Sequence, residues 1–279
     1  MAASRIRIGQ IELNVLDEGS GAPVLLLHGF PDSSRLWRHQ TPALVEAGYR
    51  VIAPDLRGFG ESDKPTQVQD YAISVVVQDM VGLLDQFGIQ RTHVVCHDWG
   101  AVAGWVLAAL APQRVDHLVA MSVGHPNAMR AAGLDQREKS WYMLLFQFVD
   151  VAEELLSRED WAFFRDWVRH HPEADTWVKD LSRPGGLTAG LNWYRANTAP
   201  HLRLNPPPPL PVVEAPVLAL WSSGDAYLTE APVANSAQWV RGPWSYRRVE
   251  GASHWMQLDR PALINRLILD FLRADAKPS

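Results

Sequence analysis

The chain has 279 residues, 47% hydrophobic and 20% charged, which suits one or two domains with a large buried core and excludes a disordered chain. Its 26 Lys and Arg against 31 Asp and Glu leave a formal charge of −5; without a Lys/Arg block, that excludes the basic face of a nucleic-acid or anionic-membrane binder. A single cysteine excludes an intrachain disulfide and any cysteine-built zinc or iron–sulfur site.

The first residues, MAASRIRIGQ, carry no apolar signal core, so a cytoplasmic address is expected. Arg5 to Asp17 reads as a hairpin. Ile6 and Ile8 alternate before a Gly9-Gln10 turn, and Ile11, Leu13 and Val15 follow it. Pro23 to His28 is a short apolar run suited to a buried strand. Ser34 to Ala47 has helical spacing and stops at Gly48. Arg50 to Pro54 is a second buried strand. Residues 71–87 form an amphipathic helix ending at Gly88. His93 to His97 reads as a strand, Ala101 to Leu110 as a helix of small residues, and His117 to Val123 again as a strand. The charge-free stretch 99–113 is too short for a bilayer, which needs roughly 20 residues.

Alternating strands and helices predict a parallel sheet with helices on both faces. The rhythm breaks near residue 126. Residues 127–204 hold helical pieces rich in Trp, Phe and Tyr, and the run Asn205-Pro-Pro-Pro-Pro-Leu-Pro211 is a stiff linker. Strand signals return at Ala215 to Trp221 and Ser245 to Val249, before a helix from Pro261 to Leu272. The expected division is a core of residues 1–126 and 205–279, interrupted by a helical insertion at 127–204.

Chemistry concentrates at three turns. In Val94-Val-Cys-His-Asp98-Trp-Gly-Ala, a buried strand turns abruptly into a helix of small residues. That is the pattern of a nucleophile elbow, with Asp98 in the slot that Ser usually fills and Cys96 in place of the first glycine. Alone, Asp98 is as readily a helix cap. After the insertion, the strand VLALW leads to Asp225, and the strand YRRVE leads to His254. Alone, Asp225 reads as a turn residue and His254 as a loop histidine. Together they follow the order nucleophile, acid, histidine of α/β-hydrolases, each just past a strand, where open α/β sheets bind ligands. His28-Gly29-Phe30-Pro31 occupies the place of the oxyanion loop, so the N–H groups of Phe30 and Trp99 are the expected oxyanion donors. His28, His97 and His125 near this site lack ligand spacing and read as structural.

The motifs HGFP (28–31), DLRGFGESDKP (55–65), HDWGA (97–101), NWYR (192–195), SGD (223–225) and GASHW (251–255) together resemble the epoxide hydrolases of the α/β-hydrolase superfamily. HDWGA is shared with haloalkane dehalogenases. The resemblance implies a mostly parallel eight-stranded sheet with helices on both faces and a helical cap inserted after the sixth strand. It implies that two cap tyrosines grip the epoxide oxygen; Tyr194 of NWYR matches one, and Tyr142 matches the other by its place early in the insertion. Both also read as packing residues. Substrate contact is thereby expected at Phe30, Trp99, Tyr142 and Tyr194, with no cofactor and no metal.

An aspartate nucleophile narrows the substrate. A carboxylate attacking an sp³ carbon forms an ester that water can cleave, and it is ionised without help from a base. The expected reaction opens an epoxide to an ester on Asp98, which water activated by His254 and Asp225 then hydrolyses to a vicinal diol. A haloalkane dehalogenase with the same nucleophile is the alternative, and a non-catalytic binding module is the second. The aromatic insertion predicts a small apolar epoxide. The expected partners are that substrate and water, with no nucleic acid, no membrane, and a homodimer left open.

Overall fold

The computed structural model describes residues 3–273. Its centre is one eight-stranded sheet in the order β1-β2-β4-β3-β5-β6-β7-β8. The strands are β1 (Ser4–Ile8), β2 (Ile11–Gly19), β3 (Pro23–Leu27), β4 (Arg50–Pro54), β5 (Thr92–His97), β6 (Val115–Met121), β7 (Val217–Ser222) and β8 (Trp244–Val249). β2 runs antiparallel to β1 and β4, and every other pairing is parallel. The central strands are apolar at consecutive positions because both sheet faces are covered. Leu25, Leu26 and Leu27 of β3 are fully buried in succession, as are Val94, Val95 and Cys96 of β5.

The helices before the insertion are α1 (Gln40–Glu46), α2 (Ile73–Gln86) and α3 (Trp99–Leu110). Between β6 and β7 lie α4 (Pro126–Arg130), α5 (Leu134–Lys139), α6 (Trp141–Leu145), α7 (Val151–Trp167), α8 (Ala174–Leu181), α9 (Gly186–Asn197) and α10 (His201–Leu204). The chain closes with α11 (Glu230–Ala234), α12 (Met256–Asp259) and α13 (Pro261–Arg273). α2 packs with α3, and α1 with α13. α13 buries Ile264, Ile268 and Leu272, one stripe at intervals of four. Among the described residues, no helix is long and apolar enough to cross a membrane.

The helix expected over 34–47 is two pieces, a 3₁₀ turn at Ser34–Trp37 and then α1. Pro42 explains the break. Inside one continuous helix it would remove a hydrogen bond and clash with the preceding turn, whereas in the first turn of α1 it displaces nothing.

α3 lies unusually close to the sheet because its glycines let it. A Cβ on Gly100 would stand 2.3 Å from the carbonyl oxygens of Leu27 and His28, and one on Gly104 would stand 2.6 Å from Cys96 Sγ. This close approach sets the start of α3 against the end of β3.

The insertion is pinned at both ends and along its length. Asn127 donates to the Leu210 carbonyl and accepts from the Leu210 N–H, joining the insertion's entry to its exit. Trp193 donates to the Arg57 carbonyl, Trp177 to Asp32, and Asn197 to the Tyr71 carbonyl. Lys139 donates to the carbonyls of Asp225 and Leu228. These bonds seat the helical segment on the loops that follow β3, β4 and β7.

Candidate active site

Four loops converge past the carboxyl ends of β3, β5, β7 and β8. β5 ends at His97, and Asp98 turns the chain into α3 with φ 52° and ψ −123°. A residue with a Cβ disfavours this conformation. It lifts the Asp98 carboxylate above the strand end, with 14% of the side chain exposed. The Phe30 N–H donates to Asp98 Oδ1 at 2.9 Å, and the Trp99 N–H faces the same carboxylate. Gly29 is required here, since a Cβ would stand 2.2 Å from Asp98 Oδ1.

The loop carrying Phe30 is locked from behind. The Leu56 N–H donates to His28 Nε2 at 2.9 Å, and the Asp32 N–H donates to the Gly29 carbonyl across a cis Phe30–Pro31 bond. Burial pushes the His28 pKa down, so the ring stays neutral and can accept.

His254 stands between two carboxylates. Its Nδ1 donates to Asp225 Oδ2 at 2.7 Å, and its Nε2 lies 3.6 Å from Asp98 Oδ2. Asp225 is held in turn by the N–H groups of Tyr227 and Leu228, both on Oδ1. Burial disfavours the His254 charge, but the two flanking carboxylates outweigh it and raise its pKa to about 10. Burial likewise works against the Asp98 carboxylate. The hydrogen bond and charge of His254 prevail and hold it below the usual range. The resting arrangement is an imidazolium between two carboxylates.

His97 supports His254 from below. Its ring lies 4.5 Å from the His254 ring, tilted at 53°, and it donates from Nε2 to the His254 carbonyl at 2.9 Å. Burial lowers its pKa to about 3, so it adds no second positive charge. His28 and His97 therefore belong to the site as supports. His125 does not: it stacks on Trp239 and caps α4.

Tyr142 on α6 and Tyr194 on α9 reach the site from the insertion, Tyr142 against Tyr227 and Tyr194 against Trp99. The Tyr142 and Tyr194 rings are 5.9 Å apart at 77°, and both are buried. Burial and then the Asp98 charge push both phenols well above their ordinary range, so both keep their protons and remain donors. Tyr194 meets the Trp99 ring at 5.1 Å and the Phe30 ring at 5.6 Å.

The structure also brings in aromatic residues that the motifs did not flag. Tyr227 meets the His254 ring at 5.2 Å and donates its hydroxyl to the Trp167 carbonyl. Trp167 packs on Phe30, Tyr142 and Phe146. Tyr227 stands two residues past Asp225, the one signal in sequence that could have found it. Trp167 and Phe146 carry none. Among the described residues, no group of three or more His, Cys, Asp or Glu could hold a metal.

The arrangement can perform a defined chemistry. It offers a largely buried but accessible carboxylate for attack, two phenol donors in the same pocket, two backbone donors beside it, and a carboxylate-oriented imidazole.

Residues 22–261 match the family model for the α/β-hydrolase fold. The chain is 36% identical to epoxide hydrolase 3 of Xenopus tropicalis, over 90% of this chain and 71% of that protein. It is 32% identical to epoxide hydrolase A of Mycobacterium tuberculosis, over 94% of each. Among solved structures, it resembles a Bacillus megaterium epoxide hydrolase bound to an inhibitor. The TM-score is 0.88 at 28% identity, covering 97% of this chain and 100% of that one.

Proposed function

The chain belongs to the epoxide-hydrolase family of the α/β hydrolases, and on that premise we propose that it hydrolyses an epoxide to a vicinal diol through an ester on Asp98. One observation carries the reading. The Asp98 carboxylate sits at the elbow with the Phe30 N–H on one oxygen and His254 near the other, and the Tyr194 ring, paired with that of Tyr142, packs on the Phe30 and Trp99 that flank it.

In this reading, residues 127–204 are the cap. Asp98, ionised because His254 holds its pKa down, attacks one ring carbon, and the C–O bond breaks. Tyr142 and Tyr194 donate to the departing oxygen, which stays attached to the second carbon and takes one proton through them. Esterification removes the Asp98 charge. His254 then loses one of its two carboxylates and its pKa falls, so it releases its proton, balancing the one the departing oxygen takes up, and the neutral imidazole can act as a base.

Water deprotonated by His254 attacks the Asp98 carboxyl carbon. The tetrahedral oxyanion is held by the N–H groups of Phe30 and Trp99, an interaction worth about 3–4 kcal/mol per donor. Collapse releases the diol and restores the carboxylate. The proton consumed in ring opening is the one His254 gives up, and hydrolysis ends with His254 protonated again, the second diol oxygen protonated on collapse and Asp98 ionised, so the cycle is proton-neutral. The aromatic wall of Phe30, Phe146, Trp167 and Tyr227 favours small apolar epoxides.

The test is a single turnover in ¹⁸O-water with enzyme in excess over styrene oxide. The expected result is label in the peptide containing Asp98 and none in the first-turnover diol. Label in the diol would mean direct attack by water on the ring and would overturn the ester route.

A further inference from the structure

We propose that Arg195, working with Gln147, is a positioning residue that sets the spacing between the Tyr142 and Tyr194 hydroxyls; the inference rests on the ring-opening role assigned to that pair. The two phenols must reach one oxygen atom, yet they stand on separate helices, α6 and α9. Phe146 lies between them, 5.5 Å from the Tyr142 ring and 4.9 Å from the Tyr194 ring, edge to face with both. Such contacts fill space but are each worth only about 0.5–1.5 kcal/mol beyond the area they bury. Directional bonds must supply the register.

Arg195 supplies them from the residue beside Tyr194. Its Nε donates to the Phe146 carbonyl at 2.9 Å. That carbonyl is at the end of α6, where helix carbonyls lack intrahelical partners. Its two terminal nitrogens grip Glu153 of α7 at 2.7 and 2.8 Å, and one also reaches Asn192 Oδ1 at 3.2 Å. Gln147 returns the link in the opposite direction. Its side-chain amide donates to the Met143 carbonyl at 3.0 Å and the Tyr194 carbonyl at 3.2 Å. Arg195, next to Tyr194, therefore holds the backbone at the C-terminal end of α6, and Gln147, just past that end, holds the backbone of α9, forming a reciprocal brace.

Stability alone does not account for this brace. Arg195 is buried, and its partner Glu153 is half-buried. A buried ion pair can often be replaced by apolar residues of similar volume without loss of stability. Apolar residues would not reproduce the three fixed directions of the guanidinium, and neither would a lysine, whose charge is a single flexible point.

The experiment compares Arg195→Lys and the paired apolar replacement Arg195→Met/Glu153→Met with the wild-type chain. The pair avoids stranding a buried carboxylate and guards against misfolding. Single-turnover measurements with styrene oxide resolve ester formation from ester hydrolysis, and each variant is repeated in the Tyr194→Phe background. The expected result is a loss of about 10- to 100-fold in ester formation, the scale that a 1 Å misplacement produces. Ester hydrolysis should change by less than about 3-fold, because it runs through groups the brace does not touch. In the Tyr194→Phe background the further loss should largely vanish, since the misplaced hydroxyl is already absent.

A purely structural role would slow both steps alike, or add in full to Tyr194→Phe; either result overturns the brace, as does unchanged ester formation in a folded Arg195 variant. If Tyr142→Phe and Tyr194→Phe themselves leave ester formation at the wild-type rate, the ring-opening reading falls and the brace with it. If they slow it and the Arg195 variants do not, the brace alone falls.

Discussion

Asp98 is held in a conformation that glycine would adopt without strain, so Asp98→Gly should be more stable than Asp98→Ala. At φ 52° and ψ −123°, a residue with a Cβ carries a strain of about 1–3 kcal/mol. At an ordinary position the order is reversed, glycine being less stable than alanine by roughly 0.5–1 kcal/mol. Both variants lose the Phe30 hydrogen bond and the approach of His254, so those losses cancel in the comparison. The difference left is about 0–2.5 kcal/mol in favour of glycine, centred on about 1 kcal/mol. At roughly 2–4 °C per kcal/mol, this is a few degrees in Tm. Thermal unfolding of the two inactive variants, side by side at one pH, measures it. An Asp98→Ala variant as stable as Asp98→Gly, or more so, would refute the claim that the elbow stores strain.

Tyr194→Phe keeps the ring and its packing but removes one donor to the departing oxygen; ester formation should fall by about 10²- to 10³-fold with Tm nearly unchanged, as read by rapid-quench mass analysis. Gly100→Ala places a Cβ 2.3 Å from two backbone carbonyls, so Tm and turnover should fall together, with a stability loss of at least about 1–3 kcal/mol; an unchanged Tm would contradict the close approach of α3. The raised His254 pKa makes stability depend on pH. Its contribution is fully present below about 6.5, the unfolded value, and is lost as pH rises through about 10. Denaturant midpoints should therefore fall between pH 7 and 10, and Asp225→Asn should flatten that slope.

Much of the core was legible because its signals are local. β3 and β5 are unbroken apolar runs, as strands buried on both faces must be, and Asp98 and Asp225 each follow such a run, whereas His254 follows the half-polar edge strand β8. Their convergence then follows from parallel strands placing all their carboxyl ends on one edge. The small residues after Asp98 announced the close seat of α3, whose Gly100 meets two carbonyls. The insertion was legible as helical, but its internal order was not. Arg195 finds Glu153, and Tyr227 finds Trp167, through packing between segments distant in the chain, which no local periodicity encodes. The break at Pro42 was missed by weighing apolar spacing above proline geometry. His125 seemed close to the site by its place after β6, yet the chain turns it toward Trp239.

A covalent ester on Asp98 is the intermediate on which the whole reaction turns, and His254→Gln should trap it. That variant should form the ester and fail to hydrolyse it. It would be incubated separately with styrene oxide and with a bromoalkane, and the intact protein weighed. The expected result with styrene oxide is a mass gain equal to the whole epoxide, mapped to Asp98, with the epoxide oxygen retained. An adduct from the bromoalkane alone, equal to its alkyl group without bromine, would contradict it and identify a dehalogenase. No adduct from either would contradict the assignment of Asp98 as nucleophile toward these substrates.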